Sequence, residues 1–235
     1  MAVSTTVPLK PGFKLTKRVR RPAAALIAQL AQFAAANVSD IQGRQLTMRS
    51  EIHPVTFPGR KVVGPALTVK ARPGDNLMAM KVIELAQPGD VIVIASDGEA
   101  NLSVWGGIMS MMAAKRGIAA VITDGVVRDV SQCREADLPI WATGLTPVGP
   151  TKLGPGQINQ PTSCGGVIVN PGDVILADED GVVVVPRDEL EAVIARSHER
   201  VAKEEGWLAR IAQDDFSPLV DTDEALRAMG CEILD

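Results

Sequence analysis

The sequence predicts an α/β fold with a layered sheet core, flanking helices and a long C-terminal helix. Two short runs of β-branched residues, 91–95 and 119–123, are bounded by Gly, Pro and Asp and are typical of buried strands. Between them, residues 106–115 have helical composition, with Ile108, Met111 and Met112 on one face and Gly117 as the stop. This order indicates neighbouring strands of an open α/β sheet, which binds its ligands at the C-terminal ends of the strands.

Composition narrows the class of protein. The chain has 235 residues and 46% hydrophobic content, which is enough for one domain over 1–235 with a sizeable core. No apolar run approaches the ~20 residues of a membrane helix, and the N-terminus lacks a signal-peptide hydrophobic region, so no membrane role is expected. A net charge of −4, no tyrosine and 3% aromatic residues do not suggest a nucleic-acid partner. Three widely spaced cysteines predict neither disulfides nor a zinc site and fit the cytoplasm.

The first third of the chain is expected to contribute a basic N-terminal extension over 1–20, two helices and one strand. The extension is interpreted as a solvated arm, with contact to an acidic neighbour as the alternative. Residues 23–35 predict the first helix, and Ser39-Asp40 is a candidate cap for the second. Residues 62–71 predict a strand interrupted by Gly64-Pro65. Asp75 is interpreted as the cap of a helix over 76–86, rather than as a ligand.

The middle of the chain predicts a helix over 130–136 and strands over 140–143, 166–169 and 174–177. Residues 146–160 are rich in Gly and Pro and have no periodicity. A loop of this length is expected to be functional or packed against another subunit. The acidic segment 178–181 is interpreted as a hairpin turn leading to a strand over 182–185, rather than as a metal site.

The C-terminal helix is expected to begin at Asp188, with Glu191 completing a capping-box pattern. Glu204 lies where its apolar stripe calls for a hydrophobic residue. A carboxylate there needs a partner, because an unpaired buried charge costs several kcal/mol. The partner is either the water shell of a metal or an arginine, unless Gly206 breaks the helix and frees Glu204 to reach solvent. The stripe comprises Leu190, Ile194, Ser197, Val201, Glu204, Leu208 and Ile211.

Two groups are predicted to meet at the C-terminal ends of the first two strands. The helix start at Gly106-Gly107 leaves the N–H groups of Ile108 and Met109 open to an anion. Arg128-Asp129 offers a guanidinium fork for a carboxylate and a carboxylate for a hard divalent cation. A carboxylate-bearing substrate and a metal would bind together there. The alternative is a turn followed by a solvated surface pair.

Six ordered blocks of sequence resemble the RraA-like family, which groups regulators of ribonuclease activity A with metal-dependent aldolases of 4-hydroxy-4-methyl-2-oxoglutarate. The resemblance implies a swivelling β/β/α domain. The blocks are GPALTVKARPGDNL (64–77), PGDVIVIA (88–95), RGIAAVITDGVVRD (116–129), TPVGPTKLGPGQINQP (146–161), GGVIVNPGDVILADEDGVVVVP (165–186) and VAKEE (201–205).

The resemblance also implies site residues. Asp129 matches the family's direct ligand to Mg²⁺ or Mn²⁺, and Arg128 matches the residue that binds the substrate carboxylate and carbonyl oxygen. Gly106, Gly107, Ile108 and Met109 match the helix start whose N–H groups bind the same carboxylate. Glu204, with Glu205 as fallback, matches a glutamate that reaches the active site of an adjacent subunit. The chain is therefore expected to form a homo-oligomer, a trimer or a hexamer, in which the C-terminal helices of 187–235 pack on a neighbour.

The implied activity is lyase chemistry on a small 2-oxo acid. Cleavage beside the oxo group leaves a pyruvate enolate, whose oxygen a metal and Arg128 would stabilise, in aldol cleavage and in oxaloacetate decarboxylation alike. One departure from the family concerns the metal. Aldolases of the family carry an acidic residue where this chain has Gly107, and Asp97 and Glu99 are the nearest replacements.

Two other functions are weighed. A non-catalytic regulator binding a ribonuclease or another protein is the main alternative, although the Arg128-Asp129 pair favours an enzyme. A methyltransferase is poorly supported, because residues 96–107 do not form a glycine fingerprint followed by a ribose-binding acid.

Overall fold

The fold is an α/β sandwich whose thirteen strands in the described residues form one large mixed sheet and two small ones. The computed structural model describes residues 12–215, 217 and 222–234. The strands are β1 (Lys14–Leu15), β2 (His53–Pro54), β3 (Val62–Ala71), β4 (Val91–Ala95), β5 (Ala120–Thr123), β6 (Val126–Val127), β7 (Ile140–Ala142), β8 (Gly144–Leu145), β9 (Gly156–Ile158), β10 (Thr162–Cys164), β11 (Val167–Val169), β12 (Val174–Asp178) and β13 (Gly181–Val185).

Seven helices in the described residues flank the sheets. They are α1 (Ala24–Leu30), α2 (Ala35–Ile41), α3 (Leu77–Ile83), α4 (Gly107–Lys115), α5 (Val130–Glu135), α6 (Leu190–Ile211) and α7 (Thr222–Ala228). Helices α3, α4 and α5 cover one face of the large sheet, and α1, α2 and the first half of α6 cover β12 and β13. This layering confirms the predicted α/β class and the long C-terminal helix.

The large sheet has the strand order β1-β9-β3-β4-β5-β7-β2, with β12 and β13 attached to β3. Its centre, β3-β4-β5-β7, is parallel. Strand β4 is buried at all five positions, which is why its sequence is continuously apolar rather than alternating. The parallel centre puts the C-terminal ends of β4 and β5 at one edge, as the sequence predicts.

Strand β3 is continuous, so the predicted interruption at Gly64-Pro65 is wrong. Its first half, through Pro65, pairs with β12, and its second half, from Ala66, pairs with β4. Pro65 lies at the exchange of partners. The missing N–H of proline is tolerated there because the strand is changing its ladder.

The first helical segment is divided, which corrects the prediction of one helix over 23–35. Helix α1 ends at Leu30, and Phe33 is buried in the turn that follows. Helix α2 begins at Ala35, whose N–H donates to Asp178 Oδ2 at 2.8 Å. Ser39 and Asp40 lie inside α2 and do not cap it. A cap from a residue 143 positions away has no local sequence signal.

The N-terminal extension is not a free arm where it is described. Strand β1 pairs with β9, and Arg21 forms a two-pronged ion pair with the buried Asp90, with both N–O distances 2.7 Å. The side chains of Lys14, Arg18 and Arg20 remain exposed. Part of the predicted extension, including Lys10, lies outside the described residues.

Helix α6 begins at Leu190, after a 3-10 turn over Arg187–Glu189. No side chain caps it, so the predicted start at Asp188 and the capping box with Glu191 are wrong. Asp188 instead pairs with Arg187 and Arg20. The helix continues through Gly206 to Ile211, which excludes a break at that glycine. In the described part of the chain, no helix is long and apolar enough to cross a membrane.

Candidate active site

The start of α4 and the Arg128-Asp129 pair are brought together by backbone pairing. Trp105 and Val127 form a parallel bridge. The N–H of Val104 donates to Val126 at 3.0 Å, and the N–H of Arg128 donates to Trp105 at 3.1 Å. The chain leading into α4 therefore runs alongside β6, and Asp129 emerges beside Gly106 and Gly107. The predicted meeting of these two segments is confirmed.

Asp129 adopts a left-handed backbone conformation, with φ of 55°. Its Oδ2 lies 3.4 Å from the N–H of Gly107 and 3.3 Å from Nε of Arg128. Both side chains are about two-fifths exposed, at 40% and 41%. The carboxylate thus faces the amide-rich start of α4 and remains open to solvent, and a small ligand has access to both charges.

Two glycines leave the space that the Arg128 side chain occupies. A Cβ on Gly106 would lie 3.0 Å from Asp129 Oδ2 and 3.1 Å from Arg128 Cγ. A Cβ on Gly149 would lie only 2.6 Å from Arg128 Nη1. The guanidinium therefore lies where side chains at 106 and 149 would otherwise stand. Gly149 was not predicted as a site residue, because it lies in the aperiodic loop 146–160.

A cleft of about 200 Å³ opens above this pair. Its walls include the predicted residues Gly106, Gly107, Ile108 and Met109. Part of the predicted loop 146–160 also lines it, whereas Gly156–Ile158 near the end of that segment form strand β9, which was not predicted. Residues that sequence reasoning missed are Asn76, Met80, Ser103, Trp105, Gly149, Pro150 and Lys152.

Asn76 is the most informative of the missed residues. It is only 6% exposed, yet its Oδ1 has no hydrogen-bond partner in the described part of the chain. Its Nδ2 donates to Met109 Sδ at 3.3 Å, a weak bond. An unsatisfied buried acceptor costs about 1–3 kcal/mol. In a cleft wall, such a group is suited to accept a hydrogen bond from a ligand.

Asp75 holds residues of the predicted loop 146–160 against the start of α3. Its Oδ1 accepts from the N–H of Leu77, the first residue of α3, but the N-cap position belongs to Asn76 and not to Asp75 as predicted. Its Oδ2 accepts from the Thr151 hydroxyl and the Leu153 N–H. Burial acts to raise the pKa of Asp75, but these hydrogen bonds outweigh it and the pKa lies below its ordinary value. An ionised Asp75 therefore fixes the loop that carries Gly149 and Lys152.

The donor set at Asp129 suits a mostly hydrated cation. In residues 12–215, 217 and 222–234 no group of three or more His, Cys, Asp or Glu side chains could hold a metal. Mg²⁺ commonly binds through one or two carboxylates and keeps several waters, so Asp129 alone fits Mg²⁺ or Mn²⁺ but not a caged ion. Asp97 pairs with Lys70, and Glu99 accepts from the N–H groups of Asn101 and Leu102. Both acids are therefore engaged by groups other than the predicted metal site.

Glu204 does not line the cleft. It pairs with Arg200 at 3.0 Å and accepts from Asn37 Nδ2 at 2.8 Å, on the side of the molecule where α6 packs against α2. The arginine partner weighed from the sequence is therefore present. Glu205 is exposed. Beyond Glu204 the apolar stripe is uncovered, with Leu208 64% and Ile211 48% exposed.

Another groove, of about 340 Å³, lies beside the N-terminal segment but has no comparable chemistry. Arg21 in its wall pairs with Asp90, and Arg20 and Arg187 both pair with Asp188. Each of these arginines has an acidic partner, and the groove is lined by none of the residues predicted for the active site.

Comparison with known proteins identifies the family. The RraA-like family, described as Aldolase/RraA, matches residues 35–184. A Halalkalibacterium halodurans protein with the provisional name 4-hydroxy-4-methyl-2-oxoglutarate aldolase is 39% identical over 168 residues, covering 72% of this chain and 80% of the relative. A Thermus thermophilus protein named 4-hydroxy-4-methyl-2-oxoglutarate aldolase is 35% identical over 112 residues, covering 48% of this chain and 68% of its own length.

A solved structure has the same fold. Streptomyces coelicolor RraAS2, described as an unusual member of the RNase ES inhibitor RraA protein family, superposes with a TM-score of 0.72 at 30% identity. The match covers 81% of this chain and all of the other. Since the family match spans more than half of the chain and the fold agrees, this protein belongs to the RraA-like family.

Proposed function

We propose that this protein is a divalent-metal-dependent lyase that cleaves a small 2-oxo acid through a pyruvate enolate. The substrate is of the 4-hydroxy-4-methyl-2-oxoglutarate or oxaloacetate type. The observation that carries the proposal is the convergence of Arg128, Asp129 and the start of α4 on one cleft. The names of the aldolase relatives support the same chemistry.

The chain's own residues bind and orient the 2-oxo acid end. The N–H groups of Ile108 and Met109 lack an intrahelical acceptor, as in any helix start, and bind the carboxylate. Arg128 contacts the same carboxylate and the adjacent carbonyl oxygen, where negative charge develops as the carbon–carbon bond breaks. Gly106 and Gly149 leave the space that the Arg128 side chain occupies, so the guanidinium can lie beside the carboxylate site.

Asp129 would hold the divalent cation. When bound, Mg²⁺ or Mn²⁺ supplies Lewis-acid stabilisation of the enolate oxygen. The long contacts of Asp129 with Arg128 and Gly107 leave its carboxylate available for a further ligand.

The distal end of the substrate meets Asn76 and Lys152. The unsatisfied Oδ1 of Asn76 is suited to accept a hydrogen bond from the hydroxyl of an aldol substrate, and Lys152 is suited to a second carboxylate. In aldol cleavage that hydroxyl loses its proton and becomes a carbonyl, while the departing enolate carbon gains a proton. In decarboxylation the departing group is CO₂.

Glu204 serves in the active site of a neighbouring copy. The uncovered apolar residues Leu208 and Ile211 on α6, and the exposed Ile108, Met111 and Met112 on α4, support assembly into a homotrimer or hexamer. On this proposal the neighbour takes Glu204 out of its ion pair with Arg200 and uses the carboxylate for proton transfer. Glu204→Gln is expected to lower kcat with little change in KM.

Pyruvate release coupled to lactate dehydrogenase tests the proposal directly. Purified protein is incubated with oxaloacetate or 4-hydroxy-4-methyl-2-oxoglutarate, with Mg²⁺ and with EDTA. Turnover that requires the metal and disappears in Asp129→Asn supports the proposal. Asp137→Asn is the matched control, because Asp137 also has a left-handed backbone and an arginine partner, Arg60. Absence of turnover with both substrates, or turnover that survives Asp129→Asn, refutes it.

A regulator is the second candidate, favoured by the described kinship of RraAS2 with ribonuclease inhibitors. A ribonuclease regulator binds its partner without 2-oxo acid turnover, and it lowers RNA cleavage by the purified nuclease at stoichiometric concentration. The two assays therefore separate the candidates.

A further inference from the structure

The side chain of Gln132 occupies the space beside the first residue of α4. A Cβ on Gly107 would lie 2.1 Å from Gln132 Oε1 and 2.6 Å from Gln132 Cβ. Real Cβ atoms essentially never approach other atoms that closely. Residues 107 and 132 therefore compete for one volume, and in this chain the side chain that fills it belongs to Gln132.

Gln132 and Asp129 border the same peptide group. Asp129 directly precedes α5 and Gln132 is the third residue of that helix, a spacing that brings side chains to one face. The N–H of Gly107 faces Asp129 Oδ2 at 3.4 Å, and the Cα of Gly107 faces the Gln132 carboxamide. The carboxamide is thus a near neighbour of the carboxylate.

The Gln132 carboxamide is free to bind water. Its side chain is exposed, and the described part of the chain provides no hydrogen-bond partner for it. A cation held by one carboxylate keeps water in the rest of its shell, and outer-shell acceptors orient those waters. Asp97 and Glu99, the acids nearest in sequence, are engaged elsewhere.

We propose that Gln132 is a positioning residue whose Oε1 accepts hydrogen bonds from the water shell of the cation at Asp129, in the volume that Gly107 leaves free. The inference rests on the proposed function, since it assumes a cation at Asp129. Its chemical consequence is an uncharged outer shell, which holds the cation more weakly than a carboxylate in the same volume would hold it.

Mn²⁺ binding, measured by electron paramagnetic resonance of the free ion without substrate, tests the inference. Gln132→Ala is expected to weaken Mn²⁺ binding about ten-fold, the usual cost of losing an outer-shell acceptor. Gln132→Glu is expected to bind about thirty-fold more tightly, the effect of one negative charge on a divalent cation at about 4 Å in water-like surroundings. Ser131→Glu is the matched control, because it adds the same charge on the same helical turn, away from Gly107.

A swap of side chains gives a second test. Gly107→Asp alone is expected to destabilise the protein, because its Cβ meets Gln132 Cβ as well as the flexible end of that side chain. Only glycine at 132 removes both clashes. The double variant Gly107→Asp/Gln132→Gly is therefore expected to bind Mn²⁺ at least as tightly as wild type, whereas Gln132→Gly alone binds it about ten-fold more weakly.

The outcomes separate this inference from the proposed function. If Asp129→Asn binds Mn²⁺ like wild type, the metal site itself is wrong and the proposed function fails with it. If Asp129→Asn loses Mn²⁺ but Gln132→Ala binds it like wild type and Gln132→Glu binds it no better than Ser131→Glu, only the role of Gln132 is overturned. If the double variant does not fold, the comparison of Mn²⁺ binding between Gln132→Glu and Ser131→Glu decides the question.

Discussion

The N–H of Gly107 lies 3.4 Å from Oδ2 of Asp129, so the start of one helix faces the carboxylate that precedes the next. The same oxygen lies 3.3 Å from Arg128 Nε. Both separations exceed the 2.7–3.2 Å range usual for N–H···O hydrogen bonds, so both contacts are weak. The carboxylate is held in place by positive groups without being saturated, which is the condition for exchanging one of those contacts for a cation.

Asp129→Asn and Asp129→Ala are expected to differ in stability but not in activity. Both remove the carboxylate and abolish metal-dependent pyruvate release. Asparagine tolerates the left-handed backbone at φ of 55°, whereas alanine is strained there by about 1–2 kcal/mol. Chemical denaturation should show a loss of stability relative to wild type for Asp129→Ala only. Equal stability of the two variants would contradict the backbone argument.

Gly149→Ala is expected to impair substrate binding without disturbing the backbone. The new Cβ would lie 2.6 Å from Arg128 Nη1 and displace the guanidinium, and loss of a charged hydrogen bond costs about 1.5–3 kcal/mol. KM for a 2-oxo acid should rise on the order of ten-fold or more. Gly144→Ala is the control, since its Cβ meets only Val126 Cγ1 at 3.8 Å. Similar kinetics for both variants would show that Arg128 does not bind the substrate.

Asn76→Leu is expected to stabilise the protein and to reduce aldol cleavage more than decarboxylation. Leucine keeps the number and branching of the side-chain heavy atoms and removes a buried acceptor that has no partner, which relieves a cost of about 1–3 kcal/mol. It also removes the acceptor for a substrate hydroxyl, which oxaloacetate lacks. The melting temperature and the ratio of the two activities measure both effects. An unchanged ratio would show that Asn76 does not accept a hydrogen bond from the substrate hydroxyl.

Asp75→Asn is expected to be less stable than wild type at neutral pH. This difference in stability is expected to disappear in acid. The pKa of Asp75 lies below its ordinary value of 3.8, so its ionised form adds stability above that pH. The contribution disappears as pH falls through the lower folded-state pKa. Urea unfolding between pH 7 and pH 3 should show a deficit of about 1–3 kcal/mol at pH 7 that narrows below about pH 4.

The exposed Asp97 provides the control for Asp75. Asp97→Asn is expected to change the free energy of unfolding by no more than about 0.5 kcal/mol at pH 7. A deficit in Asp75→Asn that stays constant down to pH 3 would show that the negative charge of Asp75 is not what holds the loop 146–160.

Arg21→Ala is expected to destabilise the protein by about 3–5 kcal/mol, because it leaves the fully buried Asp90 carboxylate without its charged partner. Arg60→Ala removes a guanidinium from the exposed Asp137 and should cost about 0–1 kcal/mol. Unfolding of both variants in guanidinium chloride measures the two losses in the free energy of unfolding. Equal costs would show that the N-terminal segment is not fastened to the domain by Arg21.

The sequence by itself was sufficient for the elements that build the site. Strands β4 and β5, helices α4 and α5, and the pairing of Arg128-Asp129 with the start of α4 were all predicted. The two strands depend on short apolar runs with Gly, Pro or Asp at their ends. Such patterns are local, because backbone propensity and burial of one face act over a few consecutive residues.

Only the tertiary structure decided which distant side chains complete the site. Asn76, Gly149 and Gln132 reach the cleft or its rim from three separate segments, and none of them stands out in the sequence. The break between α1 and α2 has the same origin, since Asp178 caps α2 from 143 residues away. Contacts of this kind arise when packed layers bring remote segments within a few ångströms of each other. Local sequence patterns do not predict them, because such patterns depend only on residues that are close together along the chain.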